Sequence, residues 1–317
     1  MNPTELRVFC PATIANLSCG FDVLGLALEG VGDYMTLRLS EQPGVRITRI
    51  SGGSLPLEAE RNVAGVAAQA LLRVSGYGGG VEMEIEKHIL PGSGIGSSAA
   101  SAAGAVWGLN TLLGNPFTLT ELTGFAASGE ALASGAPHAD NVAPALFGGI
   151  TLIRSYTPLD IARVHCPPLL HAVVLHPQIE LKTSDSRSLL KKTITLQQGI
   201  RQWGNVGGLI TGLFTEDYDL ISRSLEDGIV EPVRSLLIPG FGKLKEAALQ
   251  AGALGFGISG SGPSVFALTR GAQPARQVGE ALKEAYGPLG IPFNLYVSAV
   301  SPQGVRPAET GQNDQIA

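Results

Sequence analysis

The segment best equipped for chemistry is Pro91-Gly92-Ser93-Gly94-Ile95-Gly96-Ser97-Ser98-Ala99-Ala100. Its glycines fall at every second position, and it runs into an alanine-rich stretch of helical character. A glycine-rich turn that opens a helix presents unpaired backbone N–H groups at the positive end of the helix dipole. Phosphate oxygens match that arrangement, and glycine lets the backbone approach them closely. Ser97 and Ser98 add hydroxyls of the kind that bind a phosphate or a magnesium ion. Two common phosphate signatures are missing. No Gly-Lys-Ser/Thr of a Walker A loop follows, and the glycines run G-x-G-x-G rather than the dinucleotide G-x-G-x-x-G. An ordinary strand-to-helix turn would use the same residues, so both readings stand on the loop alone.

The elements that must position this loop are legible around it. Val81, Met83 and Ile85 alternate with Glu82, Glu84 and Glu86, a half-buried strand leading into the loop. Met35, Leu37 and Leu39 alternate in the same way. Val63, Val66, Ala67, Ala70, Leu71 and Val74 keep the i, i+3, i+4, i+7 spacing of a helix. A second helix is expected over 97–113, closed by Asn115-Pro116, and a third over 120–133 with Thr120 as N-cap. Short apolar strands are expected at 6–9 and 147–153. Pro158, Pro167 and Pro168 suggest a linker over 155–168. Beyond it come strands at 170–175, 254–258, 265–268 and 295–300, a helical stretch over 193–226 interrupted by glycines, and helices over 243–251 and 275–286. This order predicts a two-domain α+β chain, divided into 1–160 and 161–317. The polar tail after Pro302 is expected to fray.

Composition excludes several classes. The chain has 317 residues, with 22 Lys+Arg against 27 Asp+Glu, a net charge of −5. No basic run marks a nucleic-acid footprint. Cys10, Cys19 and Cys166 are an odd set without zinc-type spacing, which suits reduced thiols in the cytoplasm. Cys10 and Cys19 read as buried small hydrophobes. No signal peptide opens the sequence. Residues 89–120 and 247–269 carry no Asp, Glu, Lys or Arg, and both exceed the roughly 20 residues that span a bilayer. Glycine, serine and proline break both, and lipid-exposed backbone does not tolerate such breaks. They are expected to be buried segments, each containing a ligand loop.

Three separated segments resemble the GHMP small-molecule kinases. The loop is similar to that family's phosphate loop. Pro11-Ala12-Thr13-Ile14-Ala15-Asn16-Leu17-Ser18-Cys19-Gly20-Phe21-Asp22-Val23-Leu24-Gly25 looks like its first motif, and Gly257-Ile258-Ser259-Gly260-Ser261-Gly262-Pro263-Ser264 like its third. The resemblance spans essentially the whole chain. The Asn-x-x-x-Gly-Phe-Asp-x-Leu-Gly form of the first motif, Pro137-His138-Ala139-Asp140-Asn141-Val142-Ala143-Pro144, Thr183-Ser184-Asp185-Ser186-Arg187 and Glu231-Pro232-Val233-Arg234 point to the branch that phosphorylates L-homoserine. The resemblance implies an N-terminal α/β nucleotide-binding domain and a C-terminal ferredoxin-like α/β sandwich. It implies an ATP- and Mg2+-dependent transferase that makes O-phospho-L-homoserine in threonine biosynthesis, in a cytoplasmic homodimer that binds neither nucleic acid nor membrane.

The same resemblance assigns roles. ATP is expected along Leu90, Pro91, Gly92, Ser93, Gly94, Ile95, Gly96, Ser97, Ser98, Ala99 and Ala100, with Asn62 and Val63 at the adenine. Ser98 and Glu130 are the implied magnesium ligands, a hydroxyl and a carboxylate that suit a hard cation. Asn62 could instead serve only as a helix N-cap. Lys87 is expected to be a solvated lysine at a strand end rather than a phosphate contact. Asn16, Asp22, His138, Arg187 and Arg234 are the implied contacts of homoserine, with the two arginines clamping its carboxylate. Asn141, Arg234 and Thr183 are placed near the reacting atoms. Relatives use an aspartate in an Asp-Asn pair like Asp140-Asn141 as base. Here Asn141 and Asp22 are expected to orient the hydroxyl, with no residue removing its proton outright. The glycine turn over 257–264 is expected to pack against the phosphate loop, and a β-hairpin turn is the plainer reading. Mevalonate or shikimate as acceptor, and a relative that binds ligand without catalysis, are the alternatives; a dehydrogenase lacks its fingerprint.

Overall fold

A computed structural model of the chain describes residues 4–181 and 183–308; the side chains at 133, 134 and 183–185 lie outside the description. Strand β1 (Glu5–Ala15) pairs antiparallel with the long β2 (Leu24–Ser40). Strand β3 (Gly44–Ser51), helix α1 (Val63–Ser75) and β4 (Gly80–Glu86) form a crossover whose two strands are parallel. Then follow α2 (Ser97–Leu112), α3 (Leu119–Ser134) and α4 (Val142–Phe147), and the hairpin of β5 (Ile150–Tyr156) and β6 (Leu159–Val164). The linker expected over 155–168 is therefore largely strand. Pro158 marks the hairpin turn, and Pro167-Pro168 mark the crossing to the next sheet.

The second half contains β7 (Leu170–Pro177), α5 (Thr183–Ser188), α6 (Leu196–Thr215), α7 (Tyr218–Ser224), α8 (Glu231–Arg234) and α9 (Phe241–Gln250). It continues through β8 (Gly255–Ile258), β9 (Val265–Arg270), α10 (Ala272–Tyr286) and β10 (Phe293–Ala299). Last comes β11 (Arg306–Pro307), which returns to pair with Val8 and Phe9 of β1. Part of the tail expected to fray is thus strand; residues beyond 308 lie outside the described ones. The first sheet runs β11-β1-β2-β4-β3, with β5 beside the early part of β2 and β6 beyond it. The second runs β10-β7-β9-β8. Numbered within that half, its order is 4-1-3-2, the βαββαβ arrangement of ferredoxin-like sandwiches.

The patterns explain the layers. Val81, Met83 and Ile85 are buried, while Glu82, Glu84 and Glu86 pair on the outer face with Arg46, Arg38 and Arg7. Helix α2 is buried over nearly all its surface, between the first sheet and α1, α3 and α4. That is why its sequence is alanine without charge: small side chains let three helices and a sheet meet around it. No helix among the described residues is long and apolar enough to cross a membrane.

Local chemistry moved two boundaries. Helix α3 starts at Leu119 with Thr118 rather than Thr120 as its N-cap, because Thr118 and Glu121 form a reciprocal capping box. Over 193–226 the helix is not broken by its glycines. Thr195 and Gln198 cap α6, and the break comes at Glu216, in the left-handed region, followed by Asp217 capping α7.

Candidate active site

Strand β4 delivers the chain to the glycine-serine loop, and Gly92, Gly94 and Gly96 all take left-handed backbone angles. Gly96 caps α2 without any side-chain cap, so the first N–H groups of α2 have no intrahelical partner. No side chain fits at Gly96, where a Cβ would lie 2.0 Å from Thr13 Oγ1. The loop's carbonyls are held from outside. Thr13 N–H donates to Ile95 O at 3.1 Å, Ser259 Oγ to Gly94 O at 2.7 Å and Ser264 Oγ to Ser93 O at 2.6 Å. The turn over 257–264 therefore packs against the loop as expected, and it is also the connection between β8 and β9.

Lys87 is a correction. It is not a solvated strand end: its ammonium is buried, paired with Asp33, and donates to Ser97 O at 2.8 Å and Ser101 Oγ at 3.1 Å. The other oxygen of Asp33 accepts from the backbone of His88 at 2.7 Å and Ile89 at 2.8 Å. This pair ties β2, the entry of the loop and the first turn of α2 together. Sequence reasoning passed over Asp33. The available signal was a carboxylate inside an apolar strand, two residues before the Met35 alternation. The Ser97 hydroxyl donates to Ile89 O at 2.9 Å, which ties it to the same scaffold while the residue lines the cavity.

Ser98 faces the other way. Its Oγ donates to Glu130 Oε2 at 3.1 Å, bringing α3 to the N-terminus of α2. Glu130 is buried, and that burial pushes its carboxyl up to about 7, against the pull of the Ser98 bond. A hydroxyl and a carboxylate form an all-oxygen donor pair beside a helix N-terminus, and a hard dication would stabilise the ionised carboxylate there.

At the far end of the site the first motif turns back on itself. Asn16, Leu17 and Ser18 in succession, and then Asp22, have positive φ. Asn16 stabilises the turn by accepting from Asp22 N–H at 3.0 Å and donating to Gly260 O at 2.9 Å. Arg187 of α5 pairs with Asp22 and donates to His138 Nε2. A guanidinium is only a donor, so Nε2 of His138 is an acceptor and the ring is neutral. Burial lowers the His138 pKa in the same direction. Arg234 of α8 donates to Gly260 O at 2.9 Å and Ser186 O at 3.4 Å. The ring of Phe21 lies 5.8 Å from the Arg187 guanidinium carbon and 5.1 Å from that of Arg234, so one aromatic supports both cations.

Asp140 and Asn141 open α4 between the two ends. Thr13 Oγ1 donates to Asn141 Oδ1 at 2.8 Å, which leaves the amide N–H2 as the group Asn141 offers elsewhere. Asp140 is buried, and burial together with the Asp22 charge raises its carboxyl to about 7. Tyr156 bridges the two segments, donating to Asp22 O at 2.8 Å and accepting from Ala139 N–H at 3.4 Å.

One cavity of about 860 Å3 joins these groups. At one end it is lined by Asn62, Val63, Pro91, Gly92, Gly94, Gly96, Ser97, Ser98 and Glu130; at the other by Asn16, Asp22, His138, Asn141, Arg187 and Arg234. Ser93, Ile95, Ala99 and Ala100 are buried in the scaffold, so their side chains do not face the cavity; Leu90 is exposed beside it. Asn62 does cap α1, accepting from Ala64 N–H at 3.0 Å and donating to Pro56 O at 2.8 Å. The side chain of Thr183 lies outside the described residues. Leu55, Pro56, Glu180 and Leu181 also line the cavity, and no motif pointed to them.

Comparison with known proteins agrees with this geometry. Residues 62–149 match the family model of the GHMP kinases N terminal domain, and residues 209–288 that of the GHMP kinases C terminal. The chain is 45% identical to the homoserine kinase of Chlorobium phaeovibrioides over 95% of its own length and 99% of that protein. It is 40% identical to the homoserine kinase of Xanthomonas campestris pv. campestris, over 95% and 94%. The crystal structure of homoserine kinase from Cytophaga hutchinsonii superposes with a TM-score of 0.93 at 49% identity, covering 96% of this chain and 98% of that one. L. major mevalonate kinase shares the fold, with a TM-score of 0.68 at 18% identity. The chain belongs to the GHMP kinase family, and within it to the homoserine kinases.

Proposed function

We propose that this chain transfers the γ-phosphoryl group of ATP to the side-chain hydroxyl of L-homoserine, giving O-phospho-L-homoserine for threonine biosynthesis. The observation that carries the reading is the single cavity with a helix N-terminus at one end and two arginines on one aromatic at the other. The first end suits polyphosphate and the second suits the carboxylate of a small amino acid. The kinase family supports ATP as donor.

The division of labour follows from position. The loop over 90–100 and the first turn of α2 bind the phosphates through backbone N–H groups, with Val63 and the Asn62 backbone bordering the base. Ser98 and Glu130 would hold a magnesium ion. That ion supplies charge neutralisation on the transferring group when bound. Arg234 and Arg187 bind the homoserine carboxylate. Asp22 and Asn16 bind its ammonium and fix its orientation. His138, neutral, accepts from Arg187 and so holds that guanidinium toward the substrate. Asn141 donates to the hydroxyl oxygen and aims it in line with the γ-phosphorus. In a loose phosphoryl-transfer transition state, orientation and charge neutralisation outweigh deprotonation of the nucleophile. As the new P–O bond forms, the bond from the γ-phosphorus to the ADP leaving group breaks, and the hydroxyl proton passes to an oxygen of the transferred phosphoryl group or to water, without a dedicated base. Residues 1–160 bind the nucleotide and 161–317 complete the acceptor end. The protein acts as a cytoplasmic homodimer.

The test is ADP release by the purified protein with Mg-ATP and L-homoserine, L-threonine, L-serine, mevalonate or shikimate. Turnover with homoserine well above the other acceptors is expected. Preference for mevalonate or shikimate would overturn the substrate, and ATP binding without turnover would overturn catalysis.

A further inference from the structure

The segment Glu231-Pro232-Val233-Arg234 contributes Arg234 to the site, which leaves Glu231 without a role. Its side chain is largely buried. One oxygen, Oε1, pairs with Lys245. The other, Oε2, is buried and has no hydrogen-bond partner. Ser18, in the left-handed turn of the first motif, lines the same small cavity as Glu231. Ser18 is 4% exposed, and its Oγ is likewise buried and unpartnered. Ser18, Glu231, Arg234, Asp227 and Gly260 line one internal cavity of about 10 Å3. Space for Ser18 Oγ depends on Gly257, where a Cβ would lie 2.5 Å away.

Two buried polar atoms without partners are costly to leave unmatched. A polar cavity of roughly 10–15 Å3 is what one water molecule requires. A cation is disfavoured, because Lys245 already pairs with the Glu231 carboxylate and Arg234 lines the same cavity. Asp227 is taken up by the N–H groups of Ile229, Val230 and Glu231 and by Gln202. We propose that this cavity is a site for one ordered water, hydrogen-bonded to Ser18 Oγ and Glu231 Oε2. That water ties α8 to the first motif and so sets the position of Arg234. Ser18 and Glu231 are then positioning residues for the acceptor end. The kinetic part of this inference rests on the proposed homoserine activity.

The experiment combines crystallography, at a resolution that shows ordered waters, with kinetics on Ser18→Ala, Glu231→Ala and the double variant. Wild-type density for a water between the two side chains is expected, and its loss in Ser18→Ala. The KM for homoserine should rise roughly tenfold in each single variant. The double variant should be little worse than either, because both lose the same bridge. The KM for ATP should stay unchanged, which general loosening of the fold would not allow. No wild-type density overturns the site. Loss of the water without a change in the homoserine KM, or equal rises for both substrates, overturns the positioning role. Failure of the wild-type protein to use homoserine would sink the substrate assignment, while the density would still decide the water site.

Discussion

Ser98 Oγ and Glu130 Oε2 meet at 3.1 Å although they belong to two helices and stand 32 residues apart. The contact places a buried carboxylate, raised to about 7, at the N-terminus of α2, which lines one end of the cavity. Glu130 sits well above its ordinary value of 4.5, so the folded protein binds this proton more tightly than the unfolded chain. Its contribution to stability is therefore present at low pH and is lost as pH rises from about 4.5 to about 7. Urea unfolding of the metal-free protein should show that decline, and Glu130→Gln should flatten part of it. With magnesium the slope should shrink, because the cation favours the ionised form. In turnover, Glu130→Gln and Ser98→Ala should each lower kcat by roughly ten- to a hundredfold.

The buried pair of Lys87 and Asp33 holds the loop to β2. Removing one partner leaves the other charge buried, so Lys87→Met or Asp33→Asn should destabilise the protein by about 3–5 kcal/mol in urea unfolding. A double replacement by apolar residues should cost less than the two single effects added together. ATP binding measured by calorimetry should weaken in Lys87→Met more than homoserine binding does.

Gly92 and Gly96 have similar left-handed angles but different surroundings. A Cβ at Gly92 meets nothing within 4 Å, whereas one at Gly96 strikes Thr13 Oγ1 at 2.0 Å. Gly92→Ala should therefore carry only the strain of that backbone region, about 1–2 kcal/mol. Gly96→Ala should in addition displace Thr13 and, through it, Asn141. Melting curves and KM for ATP on both variants would separate the two effects, with a large loss of kcat expected only in Gly96→Ala.

His138 accepts from Arg187 while neutral. Its pKa is lowered from 6.5, so no protonation of His138 should appear in the homoserine KM between about pH 6.5 and 8. His138→Gln, which can still accept from Arg187, should retain more kcat/KM than His138→Ala. An acidic limb in wild type that disappears in His138→Gln would contradict the neutral ring.

Asp140 tests the absence of a base. Asp140→Asn should keep a substantial part of kcat, since a neutral amide preserves the shape of the α4 entry. Loss of nearly all kcat with an unchanged KM, together with loss of the acidic limb near pH 7, would make Asp140 the base.

The chain order alone determined a good deal. Alternation in 81–86, the alanine-rich uncharged run of α2 and the glycine spacing of 92–96 are local signals. Short-range geometry reads them directly, and the loop was found at its true place between β4 and α2. The first and third motifs likewise marked the turns that now face one another, Asn16 donating to Gly260 O across 244 positions. The tertiary structure decided what had no local signature. Lys87 looks like any strand-end lysine until β2 brings Asp33 to it. Pro158 looks like a linker until β6 is seen folding back on β5. Glu231 looks like a surface acid beside a proline until the fold buries it and sets it in the lining of one small cavity with Ser18. In each case the partner is remote in sequence, and burial gives the side chain its meaning. Burial depends on how layers pack, which no short stretch of residues encodes.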